Sequence, residues 1–328
     1  MSRCSFPALL FLACLGLCAA LFLSLRFGSA DLGVGALWSD TRGILESRLF
    51  RTACAMAVGA ALAISGLMLQ ALTRNPLADP GITGVNAGAA LAAVALAYLA
   101  PGATGGGAVL VAASLGAAAS GLALWRLAGG VSATGMEGIA LRLPLAGLAI
   151  EALCLSLASA LILTDAEMQA RYLRWLSGAI PAVARGEAPA LGAITLLLLS
   201  GFFLCGRLEL LSLGAQTSDS LGRSPVRTVA LTLAHVTGLS GASVAIAGPL
   251  AFLGLLVPFV ARGVARGDLR HSYLLAVPLG ATALLLADTA GRVVAPPGEV
   301  EAGILAALCG GPALIVVLRR LLNRGQAA

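Results

Sequence analysis

Long apolar runs alternate with short polar stretches along almost the whole chain. The runs cover residues 7–26, 52–72, 84–100, 107–128, 143–164, 188–206, 226–247, 250–262, 272–294 and 302–320. A helix needs about 20 apolar residues to cross the hydrocarbon core of a bilayer, so each run predicts one spanning helix. The eighth run is short and contains Pro258, which makes it the weakest of the set. We predict an all-α, polytopic protein with about ten spans in one transmembrane domain over residues 1–328.

The first run follows Arg3 and is open to two interpretations. It has the basic start of a secretory signal peptide that would be cut after Ala30. However, the run is longer than the apolar region of most signal peptides. We therefore expect an uncleaved first helix.

Composition agrees with a membrane protein and limits its chemistry. The chain is 59% hydrophobic and 11% charged, whereas about 25% of the residues of a soluble protein are charged. All 21 basic residues are Arg, so neither a phosphate-binding loop with its Lys nor a Schiff-base lysine is available. His235 and His271 are far apart, and the seven Cys show no metal-binding spacing. We expect no catalytic residue, no metal site and no cofactor in this chain.

The distribution of Arg predicts the orientation. With the N-terminus in the cytoplasm, thirteen Arg and five acidic residues lie on the cytoplasmic side, against eight and eight outside. Loops of membrane proteins that are rich in Lys and Arg usually lie in the cytoplasm, so this assignment agrees with that rule. An even number of spans then places both termini in the cytoplasm. The asymmetry also explains the basic character of the chain without nucleic-acid binding.

A polar segment, RNPLADPGITGVNAG, joins the second and third runs at residues 74–88. Its two Pro and its Gly residues break helices and leave main-chain polar groups free. At membrane depth such a backbone is tolerated only where it is buried in protein or lines an aqueous path. The segment is therefore either a structured gate or a plain tight turn, and the physical argument alone does not choose between them.

Several ordered blocks resemble one family of permeases, which imports ferric siderophores, haem and vitamin B12. The blocks are GAALAISGLMLQALTRNPLADPGITGVNAGAA, VAIAGPLAFLGLLVPFVAR at 244–262, LLLADTAGR at 284–292, and Glu299 to Pro312. The first of them is especially similar to the vitamin B12 importer permease. The outer stretch Ser47 to Thr52 resembles the family pattern R-L-P-R-T. Phe50 stands where that pattern has Pro, and Phe259 stands where His is frequent. Either departure could alter local contacts.

The resemblance implies a type II ABC importer permease in the bacterial inner membrane. It implies a homodimer, two ATP-binding-cassette subunits that hold ATP and Mg, and a periplasmic substrate-binding protein. Arg48, Arg51 and Arg292 match outer-face arginines that meet acidic residues of the binding protein. Arg pairs well with carboxylates. Alternatives remain: Arg48 and Arg51 could anchor at the bilayer interface, and Arg292 could pair with Asp288 one helical turn earlier.

The resemblance also assigns two cytoplasmic elements. Asn75, Pro76 and Leu77 match the positions that narrow the cytoplasmic end of the pathway. The stretch 207–227 resembles a coupling loop whose short helices sit on the ATPase, although an ordinary amphipathic connector would look similar. The coupling-loop positions are Leu213, Gly214, Ala215, Ser220, Leu221 and Gly222.

Three further residues are candidates for the transport pathway. Glu151 lies inside the fifth run, where a charged group is costly and by default faces a cavity or a partner. Arg174 and Trp175 lie in the outer loop that follows, where they suit an anionic iron chelate or anchor the loop at the interface.

We predict a permease subunit of an ATP-driven importer of iron chelates, with no covalent chemistry of its own. Importers of haem or of cobalamin use the same fold and remain alternatives. A secondary transporter driven by an ion gradient is a third possibility. It needs intramembrane ionisable groups, and only Glu151 and Asp288 qualify.

Overall fold

The protein is a bundle of α-helices in a computed structural model that describes residues 5–27, 42–100, 102, 106–129, 138–163, 169, 172–173, 175–181, 186–295 and 298–325. None of these described residues lies in a β-strand. The helices are α1 (Phe6–Arg26), α2 (Arg42–Thr73), α3 (Val85–Leu99), α4 (Gly106–Leu127), α5 (Ile139–Ile162), α6 (Ala188–Gly201), α7 (Cys205–Ser212), α8 (Ala215–Ser220), α9 (Pro225–Ala247), α10 (Leu253–Val264), α11 (Leu269–Val294) and α12 (Ala302–Gly325).

Nine of the ten apolar runs each lie mainly on one of these helices, and the sixth is divided between α6 and α7. Seven helical stretches in the described part of the chain are long and apolar enough to cross a membrane, which confirms a multi-pass protein. The third, eighth and tenth runs form shorter apolar helices, at Val85–Leu99, Leu253–Val264 and Ala302–Val316. A total of ten spans therefore stays a prediction.

The second helix begins earlier than its apolar run indicated. We expected Ser47 to Thr52 to lie in an outer loop before the second span, but residues 42–51 form the first turns of α2. Arg48 and Arg51 in these turns bind α1 and α11, and a hydropathy pattern does not reveal such contacts. The expectation of a loop there was wrong.

Helix α2 lies at the centre of the bundle. It packs against α9, α10 and α11, and α1 packs along α11 and also touches α2. The most apolar part of α2 is 83% buried, compared with 11% for α1. The first helix is therefore a peripheral element, whereas α2 is the scaffold on which the other helices are arranged.

Glycines allow the central helices to approach closely. Gly59 of α2 faces Gly280 of α11, and Gly66 of α2 faces Gly254 of α10. A Cβ atom at Gly59 or Gly66 would overlap the main-chain oxygen of the opposite glycine. Small residues are the usual means of helix association in lipid, where no hydrophobic force between helices exists.

The sixth and eighth apolar runs are only partly α-helical. The sixth apolar run changes to a 3-10 turn at Phe202–Leu204 between α6 and α7. Tyr273 of α11 donates a hydrogen bond to the main-chain O of Leu198, 2.6 Å away, just before that turn. The short α10 begins after Phe252, which has a φ of 68°, an uncommon conformation for a bulky side chain.

Candidate functional site

Four charged side chains form a buried network at the ends of α2 and α11. Nε and Nη2 of Arg51 lie 2.9 and 2.8 Å from Oδ1 of Asp288, and its Nη1 donates to Oε2 of Glu299 at 2.8 Å. Nη2 of Arg292 lies 3.1 Å from Oδ2 of Asp288. We call Arg51, Asp288, Arg292 and Glu299 the outer arginine network, because the predicted orientation places them on the outer side. The side chain of Asp288 is fully buried, and that of Glu299 is 31% exposed.

The same end of the molecule holds the end of α1. Nη1 of Arg292 donates to the main-chain O atoms of Ser24 and Phe27, both at 3.2 Å. Nη1 of Arg48 donates to the O atoms of Leu25 and Arg26, at 2.8 and 3.1 Å. The last carbonyl groups of a helix have no intrahelical partner, so these arginines satisfy groups that would otherwise be exposed.

The three arginines predicted to dock a binding protein are therefore engaged within the chain. Arg48, Arg51 and Arg292 are 7%, 9% and 4% exposed. The alternative interpretation of Arg292, a pair with Asp288 one turn away, is present in the structure. Docking stays a prediction for these residues. Of the carboxylates that contact Arg51, only Glu299 is partly open to a partner.

Residues 74–84, which we call the gate segment after their predicted role, form a compact turn held together by its own polar groups. Oδ1 of Asn75 accepts from the N–H of Leu77 at 2.9 Å, and Oδ1 of Asp79 accepts from the N–H of Gly81 at 2.6 Å. The hydroxyl of Thr83 donates to the O of Pro80 at 2.6 Å. These bonds satisfy a main chain that lies outside the regular helices on either side.

The gate segment turns back along α2 towards the middle of the bundle. Pro80 contacts Gly254, which itself lies against the main-chain O of Leu62. Leu62 precedes the end of α2 at Thr73 by 11 residues, which corresponds to about 16 Å along a helix. The segment thus folds back into the bundle beside α2 and α10, and whether it acts as a gate stays a prediction. Pro76 and Leu77 are partly exposed, and Asn75 is exposed.

Glu151 lies beside this element. Its neighbour Ile150 on α5 contacts Gly84, which has a φ of 74° and has no room for a side chain. Glu151 itself is partly exposed. The structure therefore places the predicted pathway carboxylate next to the gate segment, although its role in transport stays a prediction.

Two short helices, α7 and α8, occupy the stretch predicted to couple the chain to an ATPase. Leu213 and Leu221 follow these helices and are 66% and 58% exposed. Gly214 and Gly222 have φ values of 123° and 74°, which allow the sharp turns after each helix. Ala215 and Ser220 are the first and last residues of α8. Exposed leucines on a short polar hairpin suit a protein partner.

Trp175 is partly buried against the rest of the molecule. Its ring contacts a small cluster that includes Val85 and Val244, and it lies 6.2 Å from the ring of Tyr172. Its main-chain O approaches Gly248 so closely that a Cβ there would overlap it. Arg174 lies outside the described residues. The prediction that Trp175 lines the entrance is untested, but the structure gives it a packing role.

The FecCD transport family matches residues 16–320 of this sequence. The chain belongs to the FecCD transport family. The sequence resemblance to permeases of ABC importers is thereby confirmed. The members of the FecCD family are transport permease subunits, which agrees with the prediction that this chain is not an enzyme.

Several characterised relatives in the family are permease subunits. The ferric enterobactin transport system permease protein FepD of Escherichia coli (strain K12) is 35% identical over 302 residues, which cover 88% of this chain and 85% of FepD. The hemin transport system permease protein HmuU of Yersinia pestis is 35% identical over 327 residues, covering 93% and 95%. A solved inward-facing structure of a metal-chelate type ABC transporter has a TM-score of 0.84 at 26% identity, covering 96% of this chain and 99% of that one.

Two contacts that matter in this FecCD-family chain were not found from the sequence. Arg51 meets Asp288 across 237 positions, and Nη2 of Arg74 donates to the O of Leu211 across 137 positions. A single sequence has no signal for such distant pairs. In the part of the chain that is described, no group of three or more His, Cys, Asp or Glu is placed to hold a metal ion. The predicted lack of a metal or cofactor stays a prediction.

Proposed function

We propose that this chain is the permease subunit of an ATP-driven importer that carries an iron chelate from the periplasm to the cytoplasm. The observation that carries the proposal is the family match over residues 16–320. The names of the relatives give the substrate class. They are permeases for ferric enterobactin, Fe(3+) dicitrate, iron(3+)-hydroxamate and hemin. We favour a ferric siderophore, since three of these four names describe ferric iron with a chelator other than haem.

Haem is the second candidate. The hemin permease HmuU is aligned over 95% of its length and is as similar in identity as FepD. The assignment of cobalamin as the cargo is supported by the sequence resemblance alone. Because all these ligands use one fold, the cargo has to be identified by a transport assay.

The proposed membrane arrangement has ten spans in one permease domain, with both termini in the cytoplasm of a bacterial cell and the permease in its inner membrane. Three short helices, α3, α10 and α12, supply the spans beyond the seven long ones. Support comes from the two ends of α1. Phe6 at its start lies 3.9 Å from the ring of His271 at the start of α11, and the C-terminal end of α1 meets Arg292 near the end of α11. The two helices therefore run parallel, as the prediction requires.

The proposed partners are a second copy of the chain, two ATP-binding-cassette subunits and a periplasmic binding protein. ATP and Mg would bind to the ATPase subunits, and the exposed Leu213 and Leu221 would contact them. The gate segment with Asn75, Pro76 and Leu77 would close the cytoplasmic end of the pathway. The binding protein would approach Arg48, Arg51 and Arg292 at the outer end, where Glu299 is the accessible member of the network.

The test of the cargo is uptake of labelled ferric siderophore, haem and cobalamin by cells with and without the gene. We expect loss of ferric siderophore uptake in the deletion strain and its return with a plasmid copy. Loss of haem or cobalamin uptake alone would reassign the cargo and keep the importer. Unchanged uptake of all three would contradict the proposed substrate class.

A further inference from the structure

Arg74 connects two parts of the molecule to which the proposed function gives different tasks. Its Nη2 donates to the main-chain O of Leu211 at 2.9 Å. Arg74 is the first residue of the gate segment, and Leu211 lies in the last turn of α7, the first coupling helix. The hydrogen bond therefore joins the predicted ATPase-facing hairpin directly to the predicted gate.

On the coupling side, the contact is made to a closed hairpin. The O of Leu211 also accepts from the N–H of Gly214 at 3.1 Å, which fixes the turn between α7 and α8. The hydroxyl of Ser218 is fully buried and donates to the O of Arg223 at 2.8 Å, which closes the far end of α8. A force on the exposed Leu213 next to that turn would consequently move Leu211 as well.

On the gate side, the hydrogen bond is made by Arg74, the first residue after the end of α2. Arg74 has a φ of 53°, in the left-handed region that a long side chain rarely adopts. The turn begins with the next residue, since the O of Asn75 accepts from the N–H of Ala78 at 3.2 Å. Residues in such conformations persist only where their surroundings hold them. The bond to Leu211 is one such constraint on Arg74.

We propose that Arg74 is a positioning residue that transmits displacement of the α7–α8 hairpin to the gate segment. The proposal rests on the proposed function, because it takes the hairpin as the ATPase contact and residues 74–84 as the gate. Helix α7 also packs on α2 and α11, and those contacts hold the hairpin to the bundle. The Arg74 guanidinium adds a connection from the hairpin to Arg74 itself, whose backbone sets the direction of the gate segment.

The test measures coupling in the complete importer, isolated through a tag on this chain so that its own partner subunits accompany it. After reconstitution in liposomes, the ratio of substrate transported to ATP hydrolysed is compared for wild type, Arg74→Gln and Arg126→Gln. The substrate is the one that the cell uptake test identifies. Arg126 is an exposed arginine in the last turn of α4, so Arg126→Gln removes the same charge elsewhere.

We expect Arg74→Gln to lower the transport ratio by about tenfold, the factor that corresponds to one lost hydrogen bond from a charged donor. ATP hydrolysis should continue, and Arg126→Gln should keep the wild-type ratio. Arg74→Lys keeps a donor and should recover part of the ratio. If Arg74 only caps α7, Arg74→Gln would reduce thermal stability and leave the ratio unchanged, which would overturn the proposal.

A second readout follows the gate itself. Hydrogen exchange of residues 75–84 is measured with and without ATP and vanadate. We expect the nucleotide-dependent change of the wild type to disappear in Arg74→Gln while the ATPase subunits still trap nucleotide. Persistence of the change would overturn the proposal. Absence of an ATPase from the purified wild-type complex is a separate result, which would contradict the proposed function itself.

Discussion

At the residue scale, Asp288 is the side chain on which the outer end of the molecule depends most. It is fully buried between two guanidinium groups, 2.8 Å from Arg51 and 3.1 Å from Arg292. Both arginines are themselves nearly buried, and Arg292 also holds the end of α1. Removal of the carboxylate would leave two buried cations without their shared partner.

We expect Asp288→Asn to destabilise the chain by roughly 3–5 kcal/mol, the usual effect of breaking a buried ion pair from one side. Thermal unfolding of the purified chain in detergent measures this. Glu46→Gln is the control, because Glu46 is an exposed carboxylate near the start of α2. Equal melting temperatures for Asp288→Asn and Glu46→Gln would show that the network does not stabilise the fold.

Glu151 gives a second prediction at this scale. It lies in α5 next to Ile150, which contacts the gate segment at Gly84. Because a carboxylate inside a span is costly to keep, we expect it to serve transport. Glu151→Gln should therefore reduce uptake several-fold while the amount of folded protein in the membrane stays the same. Unchanged uptake and unchanged folding would remove Glu151 from the pathway.

At the element scale, the sequence located the helices well because hydropathy is a local property. All ten apolar runs lie on helices, and the RNPLADPG stretch predicted the break between α2 and α3. The start of α2 was missed, since its first turns are polar. The 3-10 turn at Phe202–Leu204 was missed as well, and the hydrogen bond beside it joins Tyr273 to Leu198 across 75 positions, which a local pattern does not reveal.

The glycine contacts predict how tightly α2 packs. Gly66 faces the main chain of Gly254, so a methyl group there forces α2 and α10 apart. We expect Gly66→Ala to cost about 1–3 kcal/mol or more, as overpacking of a close-packed core does. Gly16→Ala in α1 is the matched control, since nothing lies within 4 Å of its Cβ position. Thermal unfolding that is equally affected by both substitutions would contradict this packing.

At the scale of the whole molecule, family and architecture could be predicted from the sequence, whereas the site could be predicted only in part. The turn at residues 74–84 and the two short helices α7 and α8 lie in the stretches that the sequence singled out, whereas their roles as gate and coupling loop stay predictions. The sequence did not reveal that the outer arginines are buried and paired within the chain. Arg48 and Arg292 bind carbonyl groups of α1 that are more than 20 and more than 260 positions away, respectively. Contacts of that kind depend on how helices are arranged, which local patterns do not encode.

The central claim is that this FecCD-family chain works as the membrane part of an ATP-driven importer. The most direct measurement is uptake of labelled ferric siderophore into liposomes that contain the chain with its co-purified subunits and binding protein. We predict uptake that requires ATP and continues without an ion gradient. Uptake by the chain alone, driven by a proton gradient and indifferent to ATP, would contradict the account and establish a secondary transporter.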